Sequence, residues 1–150
     1  MSKKIEIENR RARFEFSFID TYTAGIVLGG TEIKSIRLAN VNLRDAYCVF
    51  KKGELFLRSL FIGEYKYGNL QNHEERRTRK LLLKRRELEK LEKKVKEKGF
   101  TIVPVKLFLN ERGLAKIEIA LAQGKKVHDK RQSIKERENK RNLARMKKEY

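Results

Sequence analysis

The sequence is short of the residues that staple or punctuate small folds. Its 150 residues include one cysteine, one proline, two histidines and no tryptophan. A lone Cys48 excludes an internal disulfide and fits a reducing compartment. One Cys and two His are too few for a zinc site made of those ligands. No apolar run approaches the roughly 18 residues of a membrane span. Residues 1–13 lack the apolar stretch of a secretory signal, so a cytoplasmic location is expected. Convergent catalytic groups are missing as well. His128 and Asp129 are neighbours in sequence, which does not make a triad, and the predicted strands carry no carboxylate pair at metal-ligand spacing. The expectation is a protein without catalysis, metal or cofactor.

Positive charge is abundant: 38 Lys and Arg face 20 Asp and Glu, a net +18. Residues 124–150 hold eleven cations against four acids. Their apolar content is only Val127, Ile134, Leu143, Ala144, Met146 and Tyr150. That is too little to offset backbone ordering at roughly 1–2 kcal/mol per residue. A basic, intrinsically disordered C-terminal tail is therefore predicted for 124–150, beside a body at 1–123 that is itself basic. Ser133 with Glu136 three residues on forms a capping-box pattern. A helix start without a buriable face suits a segment that folds on a polyanion. Nucleic acid is the leading partner, ahead of an acidic protein or a membrane surface.

Along the body, apolar residues alternate in short runs. Ile5 and Ile7 suggest a strand; Asn9, Arg10, Arg11, Ala12 and Arg13 read as a basic loop, either solvated or touching phosphate. Phe14, Phe16 and Phe18 have strand period, and a core face suits them better than a base-stacking platform. A strand at 25–30 ends in Gly29-Gly30. At 31–37, Ile33 and Ile36 break strict alternation, which suggests a bulged strand. Glu32 there either orients an arginine, accepts base or 2′-OH donors, or forms a surface ion pair. Lys51-Lys52-Gly53 reads as a hairpin turn, and Tyr65 and Tyr67 follow, suited to packing or to base stacking. Residues 72–98 read as helix, broken near 84–86, with one of Leu81, Leu82 and Leu83 near the surface and Gly99 as its stop. Val103, Val105, Leu107 and Leu109 form a strand in which Pro104 marks an edge or bulge. Residues 110–113 turn the chain into a last strand with Ile117, Ile119 and Leu121. The fold class expected is mainly β: a small antiparallel barrel of the oligonucleotide-binding (OB) kind, closed or nearly so, with helical insertion.

Several blocks taken together resemble the SsrA-binding protein (small protein B) family of bacteria. They are Asn9-Arg10-Arg11-Ala12, residues 24–37, Asn42-Leu43 with Asp45-Ala46-Tyr47, residues 77–83, residues 120–126 around Gly124-Lys125-Lys126, and His128-Asp129-Lys130-Arg131 with 134–138. They keep the family's order over nearly the whole chain. Two positions depart from its pattern: Phe14, often His in the family, and Lys84, often neutral or aromatic. The resemblance implies a barrel that grips transfer-messenger RNA at its tRNA-like domain and rescues stalled ribosomes by trans-translation. Alanyl-tRNA synthetase and elongation factor Tu with GTP would act through that RNA. Contacts to RNA are implied for Asn9, Arg10, Arg11, Glu32, Lys34, Ser35, Arg37, Arg77, Thr78, Arg79, Lys80, Leu82, Leu83 and Lys84. Contacts to the ribosomal decoding centre and empty mRNA channel are implied for Lys125, Lys126, His128, Asp129, Lys130, Arg131, Ile134, Lys135 and Arg137. Composition alone also fits a general ribosomal RNA-binding protein or an RNA chaperone.

Overall fold

The structure, a computed structural model, describes residues 5–67 and 72–125. In chain order its elements are β1 (Glu6–Glu8), α1 (Arg10–Glu15), β2 (Phe16–Ile26), α2 (Gly30–Arg37), β3 (Val41–Asn42), β4 (Tyr47–Lys51), β5 (Glu54–Arg58), β6 (Phe61–Ile62), β7 (Arg79–Leu82), α3 (Arg85–Lys98), β8 (Thr101–Leu109) and β9 (Ala115–Gly124). Seven strands form one antiparallel sheet in the order β1-β8-β9-β2-β7-β5-β4, and β3 pairs with β6 separately. The sheet curls until β4 packs against β8. No ladder joins those two strands, so the OB-like barrel stays open along that seam. Among the described residues no helix is long and apolar enough to cross a membrane.

Both predicted hairpins form. Lys52 and Gly53 both have positive φ, 51° and 77°, the backbone that a two-residue turn between β4 and β5 requires. Asn110 accepts from the Arg112 and Leu114 N–H groups and Gly113 takes φ 78°, which reverses the chain into β9.

The sheet buries both faces. Ile102, Leu107, Ile117, Ile119 and Leu121 join Leu55, Leu57, Leu81 and the α3 leucines Leu88 and Leu91 inside the curl. Val103, Val105, Ala120 and Ala122 lie on the other face with Ala12 of α1, Phe16 and Phe18. The bulge anticipated at Pro104 makes this possible. Pro104 opposes Ile119, and Lys106 opposes Glu118, its sequence neighbour. A single extra residue inverts the pleat. Val103 and Val105 therefore belong to the outer core, whereas Leu107 and Leu109 belong to the inner one, a correction to their expected shared face.

Three local expectations give way. Residues 10–15 are helical rather than a loop, so Phe14 leaves the strand and only Phe16 and Phe18 keep the period. Asn9 causes this: its side chain caps α1 by accepting from the Ala12 N–H and donates to the Pro104 carbonyl at 2.9 Å. Residues 31–37 belong to α2 rather than a bulged strand; Ile33 and Ile36 stand three apart, the spacing of one helix face. Of the helix expected over 72–98, only α3 forms: residues 72–78 are turns and irregular chain, and 79–82 are strand, because β7 fills the place between β2 and β5.

Asn9 is 6 % exposed, and both ends of its side chain are engaged. Asn9→Ala removes a helix cap and strands a buried carbonyl. We expect a loss of about 2 kcal/mol in urea unfolding, where a neutral surface position would change by less than about 0.5 kcal/mol.

Candidate nucleic-acid interface

The candidate surface is organised by charges that do not reach solvent. Glu32, on the first turn of α2, is 1 % exposed and Arg79, on β7, is 0 % exposed. Oε1 of Glu32 accepts from the Gly29 N–H at 2.9 Å, closing the start of α2, and from Nη2 of Arg77 at 2.6 Å. Oε2 accepts from Nε of Arg79. The rest of the Arg79 fork donates to main-chain carbonyls: Nη1 to Leu60 at 2.7 Å and Arg77 at 3.0 Å, Nη2 to Glu75 at 3.2 Å and Glu74 at 3.5 Å. One guanidinium thus joins α2, the link between β5 and β6 and the stretch leading into β7.

Burial by itself raises the Glu32 carboxyl. Hydrogen bonds from Arg77, the Gly29 N–H and Arg79 outweigh it, and the carboxyl settles below its ordinary value. Burial lowers Arg79, with Glu32 opposing; an arginine nonetheless keeps its proton. The pair is ionic, and of the roles open to Glu32 it plays that of orienting arginines.

Strand geometry sorts the predicted contact residues. Successive side chains of β7 face opposite ways. Arg79 and Leu81 point inward and are fully buried; Leu83 continues that side and packs against the inner core. Lys80 and Leu82 have the other parity and reach the surface, with Leu82 52 % exposed; Thr78 before the strand and Lys84, the N-cap of α3, are exposed on either side of it. Leu82 is the surface leucine anticipated among the three. On α2, Lys34 and Arg37 are exposed and Ser35 is buried. Arg10 and Arg11 are exposed on α1, and Arg11 pairs with Glu15 at 2.9 Å. Asn9, Glu32, Ser35 and Arg79 therefore sit beneath the surface on which sequence had placed them.

Two links tie the parts together that no sequence signal announced. His73 Nε2 faces the Ile62 carbonyl at 2.8 Å; a carbonyl only accepts, so this nitrogen carries the proton. Its Nδ1 lies 2.9 Å from the Thr31 hydroxyl. The ring bridges β6 and the start of α2, although His73 lies 42 positions from Thr31 in sequence. Asp45 stands 4.0 Å from Arg76, which joins the stretch before β4 to the cations before β7. A cleft of about 600 Å³ opens between Gly29, Gly30, Thr31, Lys34, His73 and Arg77. Away from this surface, burial pushes the half-buried Cys48 thiol up to about 12, which favours its protonated form.

Of the residues implied to touch the ribosome, Lys125 is described: its N–H donates to the Glu15 carbonyl at 2.9 Å. Lys126, His128, Asp129, Lys130, Arg131, Ile134, Lys135 and Arg137 lie outside the described residues, as do the capping-box pair Ser133 and Glu136 and the expected unfolded tail beyond Lys125.

Known proteins match along almost the full chain. The family model described as "SmpB protein" matches residues 6–149. An SsrA-binding protein of Phocaeicola vulgatus is 59 % identical over 142 residues, covering 95 % of each chain. One of Flavobacterium johnsoniae is 56 % identical over 150 residues, covering 100 % of this chain and 99 % of its own. A solved chain described as "tmRNA-SmpB: a journey to the center of the bacterial ribosome" superposes with a TM-score of 0.68 at 47 % identity, covering 82 % of this chain and 86 % of that one.

Glu32→Gln leaves the buried Arg79 charge without its counter-ion. A loss of about 3–5 kcal/mol is expected in urea unfolding at pH 7. The folded carboxyl titrates below its ordinary 4.5. Its contribution is full above that value and is lost as pH falls through the lower folded value. The stability of the wild type should therefore drop more steeply below pH 4.5 than that of Glu32→Gln, measured by urea melts from about pH 2.5 to 6.

Proposed function

The chain belongs to the SmpB protein family, and we propose from that premise that it binds transfer-messenger RNA and brings it to stalled ribosomes for trans-translation. The observation that carries the molecular reading is the row of Lys80 and Leu82 on the outward side of β7, with Thr78 and Lys84 exposed on either side of the strand, set on a frame held by buried Glu32 and Arg79. With Lys34, Arg37 and Arg77 it makes a basic surface of fixed shape. Phosphate neutralisation supplies affinity and salt sensitivity. Exposed Leu82 and the stiffness of the frame supply fit to one folded RNA, because structured RNA is recognised mainly by form. Arg10 and Arg11 extend the surface across α1.

The body that grips RNA runs through Gly124, which ends β9 opposite Phe16, and Lys125, tied to the Glu15 carbonyl, rather than stopping at 123 as expected; the residues beyond act as a ribosome-directed tail. The tail enters the decoding centre and the vacant mRNA channel, where His128, Asp129, Lys130 and Arg131 stand in for codon–anticodon pairing and Lys135 and Arg137 meet ribosomal RNA. Helix formation there, starting at Ser133, is coupled to binding. Alanyl-tRNA synthetase and elongation factor Tu with GTP engage the carried RNA rather than this chain. The protein works in the cytoplasm by binding, without chemistry of its own.

Two experiments test this. In a filter-binding assay with the tRNA-like domain, Lys80→Glu combined with Lys84→Glu should weaken binding at least about tenfold. It should also flatten the plot of log Kd against log salt by about one for each phosphate no longer neutralised. Unchanged affinity and slope would remove β7 from the interface. Deleting residues 127–150 should leave that affinity within about twofold while abolishing tagging in a reconstituted rescue assay. Loss of both together would make the tail part of the first interface.

A further inference from the structure

A pair of rings stands beside Lys34 of α2. Tyr65 and Tyr67 follow β6, and their rings meet edge to face at 5.6 Å between centroids and 68° between planes. Tyr67 is 74 % exposed. Nζ of Lys34 lies 5.3 Å from the Tyr65 ring centre. Asn72 clamps the main chain of Tyr65 from both sides: its Oδ1 accepts from the Tyr65 N–H at 3.2 Å and its Nδ2 donates to the Tyr65 carbonyl at 2.8 Å. The main chain at Tyr65 is therefore fixed, and its ring lies between Nζ of Lys34 and the edge of the more exposed Tyr67 ring. An exposed aromatic face beside a lysine is a surface on which an unpaired base can stack.

The cleft reached through Lys34 has the matching chemistry. Lys34 belongs to both features, since it lines the cleft and caps Tyr65. At Gly30 an added Cβ would meet nothing within 4 Å, so a bulky group can come close to the main chain. The acid of the cleft, Glu32, is already matched by Arg77 and Arg79. Lys34 and Arg77 leave the opening attractive to an anion.

We infer that Tyr67, Tyr65, Lys34 and Arg77 form a seat for one unpaired nucleotide of the bound RNA. The base stacks on Tyr67, and the adjoining phosphate lies between Lys34 and Arg77. The nucleotide must be unpaired, because within an A-form helix the base faces are covered by their neighbours and the ring cannot reach them. Stacking of this kind tolerates any base, so the seat selects a looped-out or terminal position rather than a letter. This inference rests on the proposed binding of a folded RNA.

The test uses the full chain and full-length transfer-messenger RNA, with Kd measured over a range of salt. Tyr67→Leu should raise Kd about tenfold, within the range measured for removal of one stacking ring. The slope of log Kd against log salt should not change, because every cation that meets a phosphate is still present. Tyr67→Phe keeps the ring face and should bind as the wild type does. If Tyr67→Leu binds as tightly as wild type while Lys80→Glu binds more weakly, the seat is refuted and RNA binding through β7 stands. If neither substitution moves Kd, the RNA surface itself is wrong and the seat falls with it. Equal melting temperatures of both Tyr67 variants and the wild type, expected of so exposed a side chain, keep misfolding out of the comparison.

Discussion

A guanidinium that cannot release its proton sits out of reach of water, and much of the surface geometry follows from meeting its needs. Leaving such a charge unmatched costs several kcal/mol. Arg79 is matched by one carboxylate and four main-chain carbonyls, which come from segments far apart in sequence. Apolar residues of the same volume could be as stabilising. They would not impose directions, whereas each N–H of the fork points along one line. The start of α2 and the approach to β7 are thereby fixed relative to each other. The cations above them, Lys34, Arg77 and Lys80, inherit that fixed spacing. Recognition of RNA by form needs such spacing, because a loose set of cations binds any polyanion.

The sheet serves the same end on a larger scale. One extra residue at Pro104 lets β8 feed an inner core before and after the bulge and an outer core under α1. Helix α3 covers the inner core with Leu88 and Leu91, and α1 covers the outer one with Ala12. Both faces are thus occupied by apolar packing, and the excess of positive charge is displaced to strand edges, helix exteriors and the segment after β9. Asp45, 4.0 Å from Arg76, offsets some of the repulsion among the cations before β7.

The two hairpins were legible in the sequence because alternation and a glycine turn agree there, at Lys52-Gly53 and around Gly113. Pro104 announced its bulge by lacking an N–H to donate. Helix α2 was hidden because Ile33 and Ile36, three apart, fit interrupted alternation as well as one helical face. The run around Leu81-Leu82-Leu83 was hidden because a short apolar stretch rich in Lys and Arg has no period of its own; its neighbours β2 and β5 decide it. Buried charge was the least visible feature. Arginine is rarely buried, and Glu32, the partner that makes burial tolerable here, lies 47 positions from Arg79. A similar separation hides His73, whose partners Thr31 and Ile62 come from α2 and β6. Family resemblance was legible because whole blocks keep their order; the packing that gives those blocks meaning was not.

The central claim is that the buried pair, rather than local helix or strand preference, holds α2 and the approach to β7 in place. Amide hydrogen exchange, compared residue by residue between the wild type and Glu32→Gln under conditions where both are folded, tests it most directly. The account predicts loss of protection across α2 and residues 74–79 while the β8–β9 hairpin keeps its own. Unchanged protection across α2 and 74–79 would contradict it.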